Sequence, residues 1–187
     1  MNIELLSIEE MQKIYIKHMT DDFPDDELKP FERIREMYNE DYYFAYGLYD
    51  KGMLLGYAYF VKGEKSNSIL LDYFAVISNK RNCGYGSKFL CLLKEELNIY
   101  NYFILESERI LSAKNKEEQL IRTRRIKFYT KNGFIKSDLE SCLFGVDYSL
   151  LYVGKSDDVD FYAAVSDIYN KMFYPKYMDK VRIIKGV

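Results

Sequence analysis

Between residues 68 and 132 the chain alternates strand and helix twice, and this order limits its possible folds more than any other feature. Leu70-Leu71-Asp72-Tyr73-Phe74-Ala75-Val76 is an apolar run with β-branched and aromatic content, the pattern of a strand over 68–76. It leads through Arg81-Asn82-Cys83-Gly84-Tyr85-Gly86-Ser87 into a helix predicted over 86–97. A strand over 102–108 and a helix over 117–132 follow, and Asn132-Gly133 supplies the helix stop. A βαβα order predicts parallel pairing in the middle of a sheet, with helices packed on its faces.

The turn between the first strand and its helix carries chemistry. A glycine turn that opens a helix presents unpaired backbone N–H groups and the positive end of the helix dipole, which suits phosphate. Gly84 and Gly86 have no side chains to hold an anion away from the backbone, and Arg81 adds a charge that can pair with it. A Walker-type loop would need Gly-Lys-Ser/Thr at its end, whereas Gly86-Ser87-Lys88 has the wrong order. A dinucleotide turn needs a third glycine where Phe89 stands. What remains is R-x-x-G-x-G after an apolar strand, followed downstream by Phe128-Tyr129-Thr130-Lys131-Asn132-Gly133-Phe134.

Those two motifs, in this order and with a strand between them, resemble the GNAT-fold N-acetyltransferases over roughly residues 2–155. The resemblance implies an α/β (α+β) fold, with a central mixed twisted sheet of about six to seven strands flanked by helices. It implies acetyl-CoA as cosubstrate and direct transfer of its acetyl group to a primary amine, with no acyl-enzyme and no metal. By the same resemblance, the backbone of Phe74, Ala75 and Val76 would pair with the pantetheine arm, the Val76 N–H being a candidate oxyanion donor. Arg81, Asn82, Cys83, Gly84, Tyr85, Gly86 and Ser87 would hold the pyrophosphate. Tyr129 matches the family's frequent general acid, and a phenol with a pKa near 10 can protonate a departing thiolate. Among 19 tyrosines, the motif is what singles it out.

The base is read from the strands. Alternation puts Leu70, Asp72, Phe74 and Val76 on one face, and Tyr102, Ile104, Glu106 and Glu108 on one face of the next strand. Asp72 and Glu106 each interrupt an apolar pattern, a costly place for a carboxylate unless it is paired or solvated. Each is therefore a candidate for relaying the amine proton or holding the substrate ammonium. A second reading stands beside that one. On the helix 117–132, Ile121 and Phe128 define the apolar stripe and Arg125 falls within about 40° of it, so either carboxylate can be its structural partner. Many family members carry Asn and Ala at the positions of Arg122 and Arg125, and the usual asparagine contact with coenzyme A is missing here. Arg122, Arg124, Arg125 and Lys127 either approach phosphate or form a solvated basic face.

Elsewhere, Ser7-Ile8-Glu9-Glu10 has capping-box residue types, with Met11, Ile14, Tyr15 and His18 behind it at helical spacing. A helix over 30–39 and a hairpin of strands 42–49 and 54–61 around Asp50-Lys51-Gly52 follow. Strands over 134–137 and 145–153 close the core. The expected organisation is one acetyltransferase-like domain over 1–155 with an extra C-terminal helix in 156–187. Asp157-Asp158 would cap that helix, which packs on the same domain or at a dimer contact.

The charge is nearly balanced at −2, which implies no general attraction to nucleic acid or membrane. There is no apolar run of about 18 residues, and Met1-Asn2-Ile3-Glu4 has no basic leader. Cys83, Cys91 and Cys142 read as reduced thiols in a cytoplasmic protein, and a monomer or homodimer is expected. With His18 the one histidine, neither a zinc cluster nor a Ser-His-Asp triad is supported. Asp21, Asp22, Asp25, Asp26 and Glu27, with Tyr38, Tyr42 and Tyr43, would suit a cationic acceptor, or form a solvated acidic loop. The competing function is a non-catalytic acyl-CoA-binding or regulatory module of the same fold.

Overall fold

The computed structural model describes residues 1–24, 27–154 and 159–185. The fold is mixed α/β, an eight-stranded mixed sheet in the order β1-β2-β3-β4-β5-β7-β6-β8 flanked by helices. The chain divides into two compact units, one of Met1–Val61 with Leu71–Leu97, the other of Lys62–Leu70 with everything from Asn98 on.

In the first unit, β1 (Asn2–Leu5), β2 (Tyr43–Asp50) and β3 (Met53–Lys62) pair antiparallel in sequence order, with Ile3 opposite Leu48 and Ala45 opposite Tyr59. Lys51 and Gly52 turn the β2–β3 hairpin with φ of 49° and 76°. Two positive φ values in succession give a type I′ twist, which matches the twist of the strands. Before the hairpin, α1 (Ile8–Ile14) starts at the expected capping box: the Glu10 amide donates to the Ser7 hydroxyl, and the Ser7 amide donates to the Glu10 carboxylate. The helix runs on through a π turn, Tyr15–Met19, into the short α2 (Thr20–Asp22), while α3 (Phe31–Asn39) buries Phe31, Ile34 and Met37. These side chains close over Leu48, Tyr57, Tyr59 and Phe60, all fully buried. The Tyr59 hydroxyl finds the Met11 carbonyl, so the buried phenol leaves no unpaired polar group. β4 (Ile69–Val76) then delivers the chain to α4 (Tyr85–Glu96), which buries Phe89, Leu90 and Leu93.

In the second unit, β5 (Tyr102–Glu108), β7 (Val146–Gly154), β6 (Ile135–Leu143) and β8 (Val181–Lys185) pair antiparallel in that spatial order. α5 (Lys116–Lys131) is capped by the Asn115 side chain, which accepts the Glu118 amide, and it ends where expected, with Gly133 at φ 88°. α6 (Phe161–Phe173) buries Ala164, Val165, Ile168, Tyr169, Met172 and Phe173. Its cap is Asp160, whose carboxylate accepts the Ala163 amide; Asp157 and Asp158 lie outside the described residues.

Two differences from the sequence reading have simple causes. The strand count is eight because β1 and β8, four and five residues long, are too short for an alternation pattern to stand out. On α5 the buried line runs through Arg122 and Tyr129, each 8% exposed, while Ile121 is 47% exposed. An ionic side chain takes the inward position there because carboxylates are waiting for it, as described next.

Candidate functional site

The phosphate-binding pattern lies wholly in the first unit. After β4, a 3₁₀ turn at Ser78–Lys80 leads to Asn82 at φ 63° and Gly84 at φ 80°. Gly84 is the residue that starts α4, and no side chain caps the helix there. A left-handed N-cap without a competing side chain turns the first-turn amides outward, and residues 81–84 are exposed. Phe74, two residues before the end of β4, packs its ring 5.5 Å from Phe89 and fixes strand against helix behind the loop.

Arg81 does not stand clear as a phosphate ligand. Its Nε donates to the Val76 carbonyl at 3.1 Å, and its Nη2 pairs with Asp22 Oδ1. The Tyr57 hydroxyl donates to Asp22 Oδ2 at 2.6 Å, and burial, followed by that hydrogen bond and the Asp22 charge, pushes the phenol far above its ordinary pKa. The cofactor-type loop is thus braced against α2 by a carboxylate whose side chain is 9% exposed. Asp22→Asn is expected to lower the melting midpoint by about 2–4 °C, since a half-exposed pair contributes about 1 kcal/mol. An unchanged midpoint would mean that the brace carries no stability.

Asp72, in the same unit, is more enclosed than an acceptor-cleft acid needs to be. Its carboxylate accepts Lys29 Nζ at 2.8 and 3.0 Å and the Tyr43 hydroxyl at 2.5 Å. The Lys29 amide donates to the Tyr73 hydroxyl, which donates in turn to the Glu27 carbonyl. Segment 27–30 therefore hangs from β4 by Asp72 and Tyr73. Tyr43 is held well above its ordinary pKa, first by burial and then by the Asp72 charge, so it stays a donor. Asp25 and Asp26 of the acidic loop lie outside the described residues.

In the second unit, Glu106 Oε1 accepts two hydroxyls, from Tyr169 on α6 and, at 3.3 Å, from Ser141 on β6. The sequence reading offered Arg125 as structural partner of Asp72 or Glu106. The structure gives Arg125 to Glu108 at 3.1 Å. Arg122 takes the other Glu108 oxygen at 2.7 Å, has Glu118 at 3.6 Å, and donates to the Arg109 carbonyl. Arg122 is neither a solvated basic face nor a free phosphate ligand; it is a buried cation held by two acids. Tyr129, one helical face further along α5, packs against Phe128 and Phe134 at 5.3 and 5.9 Å. Burial pushes its phenol up to about 12 while Arg125 pulls the other way. Among the described residues its hydroxyl has no hydrogen-bond partner.

Sequence reasoning missed Asp22, Lys29, Tyr169 and Ser141 as partners of the candidate residues. One signal was readable: Tyr169 sits on the apolar stripe of α6 as a buried phenol in need of an acceptor, and Glu106 interrupts an apolar strand in need of a donor. Among the described residues no three His, Cys, Asp or Glu side chains group as metal ligands. No described helix is long and apolar enough to cross a membrane.

No protein-family model and no curated protein matches the sequence. Solved structures do match. A Bacteroides thetaiotaomicron protein described as an acetyltransferase of the GNAT family aligns over 95% of this chain and 98% of its own, with TM-score 0.71 and 21% identity. The Escherichia coli ribosomal-protein-S18-alanine N-acetyltransferase covers 86% of this chain and 99% of its own, with TM-score 0.60 and 17% identity. An aminoglycoside 6'-N-acetyltransferase complexed with coenzyme A covers 86% and 100%, with TM-score 0.59 and 15% identity.

Proposed function

We propose that this chain, whose fold is that of the GNAT N-acetyltransferases, transfers an acetyl group from acetyl-CoA to a primary amine of a small molecule or peptide. The observation that carries the reading is the uncapped start of α4 at Gly84, behind the Arg81–Ser87 pattern and directly after β4. Outward amides and the helix dipole suit a pyrophosphate, with Asn82, Cys83, Tyr85, Gly86 and Ser87 supplying the walls of the turn. The Phe74, Ala75 and Val76 backbone is assigned to the pantetheine arm. The acceptors named for two similar structures, an aminoglycoside and the alanine of a ribosomal protein, support an amine nucleophile.

In the step proposed, the amine nitrogen attacks the thioester carbonyl, a C–N bond forms and the C–S bond breaks. The Val76 N–H steadies the oxygen as it becomes negative. Glu106 takes the proton lost by the amine, directly or through a water, and Tyr129 gives its phenolic proton to the departing thiolate. A phenol held near 12 is fully protonated at neutral pH, as an acid must be before it acts. Asp72, already committed to Lys29 and Tyr43, is assigned to anchoring segment 27–30 and not to the base. The three free thiols suit a reducing, cytoplasmic setting.

A second reading, an acyl-CoA-binding module without turnover, is favoured by one observation. The position where many family members place an asparagine on coenzyme A holds Arg122, which is occupied by Glu108 and Glu118. Thermal melting with acetyl-CoA, coenzyme A and ATP at matched concentrations tests the shared premise. Saturation at 100 times the dissociation constant adds about 2.7 kcal/mol, a rise of roughly 5–10 °C for a chain of this size. A rise with both coenzyme A forms and none with ATP is expected; no rise with any of the three overturns both readings. Acetylated product from spermidine, an aminoglycoside or a peptide with a free α-amine, read by mass, then separates enzyme from binding module.

A further inference from the structure

We infer that Tyr169 is a positioning residue for Glu106, so that α6 belongs to the catalytic apparatus and is more than a cover on the sheet. This rests on the acetyltransferase reading and on the assignment of Glu106 as its base. The carboxylate is half-buried on β5, on the strand face it shares with the buried Ile104, where its oxygens need hydrogen-bond donors. Two hydroxyls from two different elements, Tyr169 of α6 and Ser141 of β6, converge on the single oxygen Oε1. Two donors on one oxygen hold the side chain in one rotamer. Tyr169 is 2% exposed and its ring packs 5.9 Å from Phe173, so the donor itself cannot swing away.

The hydroxyl is not what seats the helix. α6 has its own N-cap at Asp160, and Asp167 Oδ2 accepts the amides of Lys65 and Ser66 at 2.9 and 2.8 Å. Val165, Ile168 and Met172 bury their side chains beside it. Replacing the phenol by a phenyl ring removes one donor from Glu106 and leaves those attachments intact. The geometry thus separates two jobs of one residue: the ring packs, and the oxygen holds the base.

Steady-state kinetics on the full chain, with acetyl-CoA and whichever probe amine (spermidine, an aminoglycoside or an α-amine peptide) the wild type acetylates, tests this. Tyr169→Phe is expected to lower kcat by about 10²-fold, the scale of a misplaced catalytic group, with KM for acetyl-CoA unchanged. In a Glu106→Gln background the same substitution is expected to change kcat less than about 2-fold, because the group it positions is gone. Ser141→Ala, which reaches the same oxygen from β6, should act in the same direction to a smaller extent, and it serves in place of Tyr169→Phe if that variant does not fold. An equal loss in both backgrounds, or wild-type kinetics for both hydroxyl deletions, overturns the proposal while leaving the acetyltransferase reading intact. A wild type that binds acetyl-CoA but acetylates none of the probes overturns the catalytic reading, and this proposal with it.

Discussion

Tyr129→Phe is expected to cut turnover about 10²- to 10⁴-fold, the range for loss of a positioned general acid, while the acetyl-CoA-induced rise in melting temperature persists. The substitution removes one oxygen from a ring packed between Phe128 and Phe134, and among the described residues that oxygen has no hydrogen-bond partner to strand. Stability should therefore change little, so any loss of rate reports chemistry. The sign of the pH dependence follows from the raised phenol. With its pKa pushed up to about 12, Tyr129 stays protonated through pH 10, and its ionisation should not produce an alkaline fall in rate below that. In the folding equilibrium, a pKa above the unfolded value of about 10 contributes stability below pH 10, lost as pH rises toward 12. Tyr129→Phe with wild-type turnover would remove the residue from the mechanism.

Glu108→Gln is the substitution with the largest expected effect on stability. Glu108 binds Arg122 at 2.7 Å through one oxygen and Arg125 at 3.1 Å through the other, and the Arg122 side chain is only 10% exposed. Taking the charge from the acid leaves a buried guanidinium with the Arg109 carbonyl at 2.9 Å and Glu118 at 3.6 Å. Removing one partner of a buried pair costs about 3–5 kcal/mol, and the contacts that remain reduce this to about 2–3 kcal/mol. The melting midpoint should fall by roughly 5–10 °C. Glu118→Gln, which loses a longer and more exposed contact, should cost about 0.5 kcal/mol. Equal shifts for the two variants would show that Arg122 is not held mainly by Glu108.

Much of the fold was legible because it is written in local chemistry. Ser7 and Glu10 form a capping box, Lys51-Gly52 can adopt two positive φ values, and Asn132-Gly133 can end a helix; each signal works over a few residues and each is found in place. The Arg81–Ser87 turn is likewise a local feature, and its backbone geometry follows from Gly84. What could not be read depends on partners distant in sequence. Helical periodicity turns Ile121 inward and Arg122 outward, because a pattern cannot know that Glu108 waits across the gap. Arg81 was expected to face an anion, yet Asp22, 59 residues earlier, already holds it. Asp72 and Glu106 look alike in their strands, and their donors differ: Lys29 and Tyr43 reach the first, the hydroxyls of Tyr169 and Ser141 the second.

The two compact units are interleaved along the chain, since residues 62–70 belong with the segment from Asn98 on while Leu71–Leu97 returns to the first. A break between residues 97 and 98 would keep the first unit whole in the earlier piece but would split the second. The later piece would keep Asp167 but lose the Lys65 and Ser66 amides that it holds across 102 and 101 residues, and Asn101 would lose the carbonyls of Ser66 and Asn67. Contacts over such sequence distances close late and slow the folding of the whole. The later fragment is therefore incomplete without the nine residues 62–70 that the earlier one carries away.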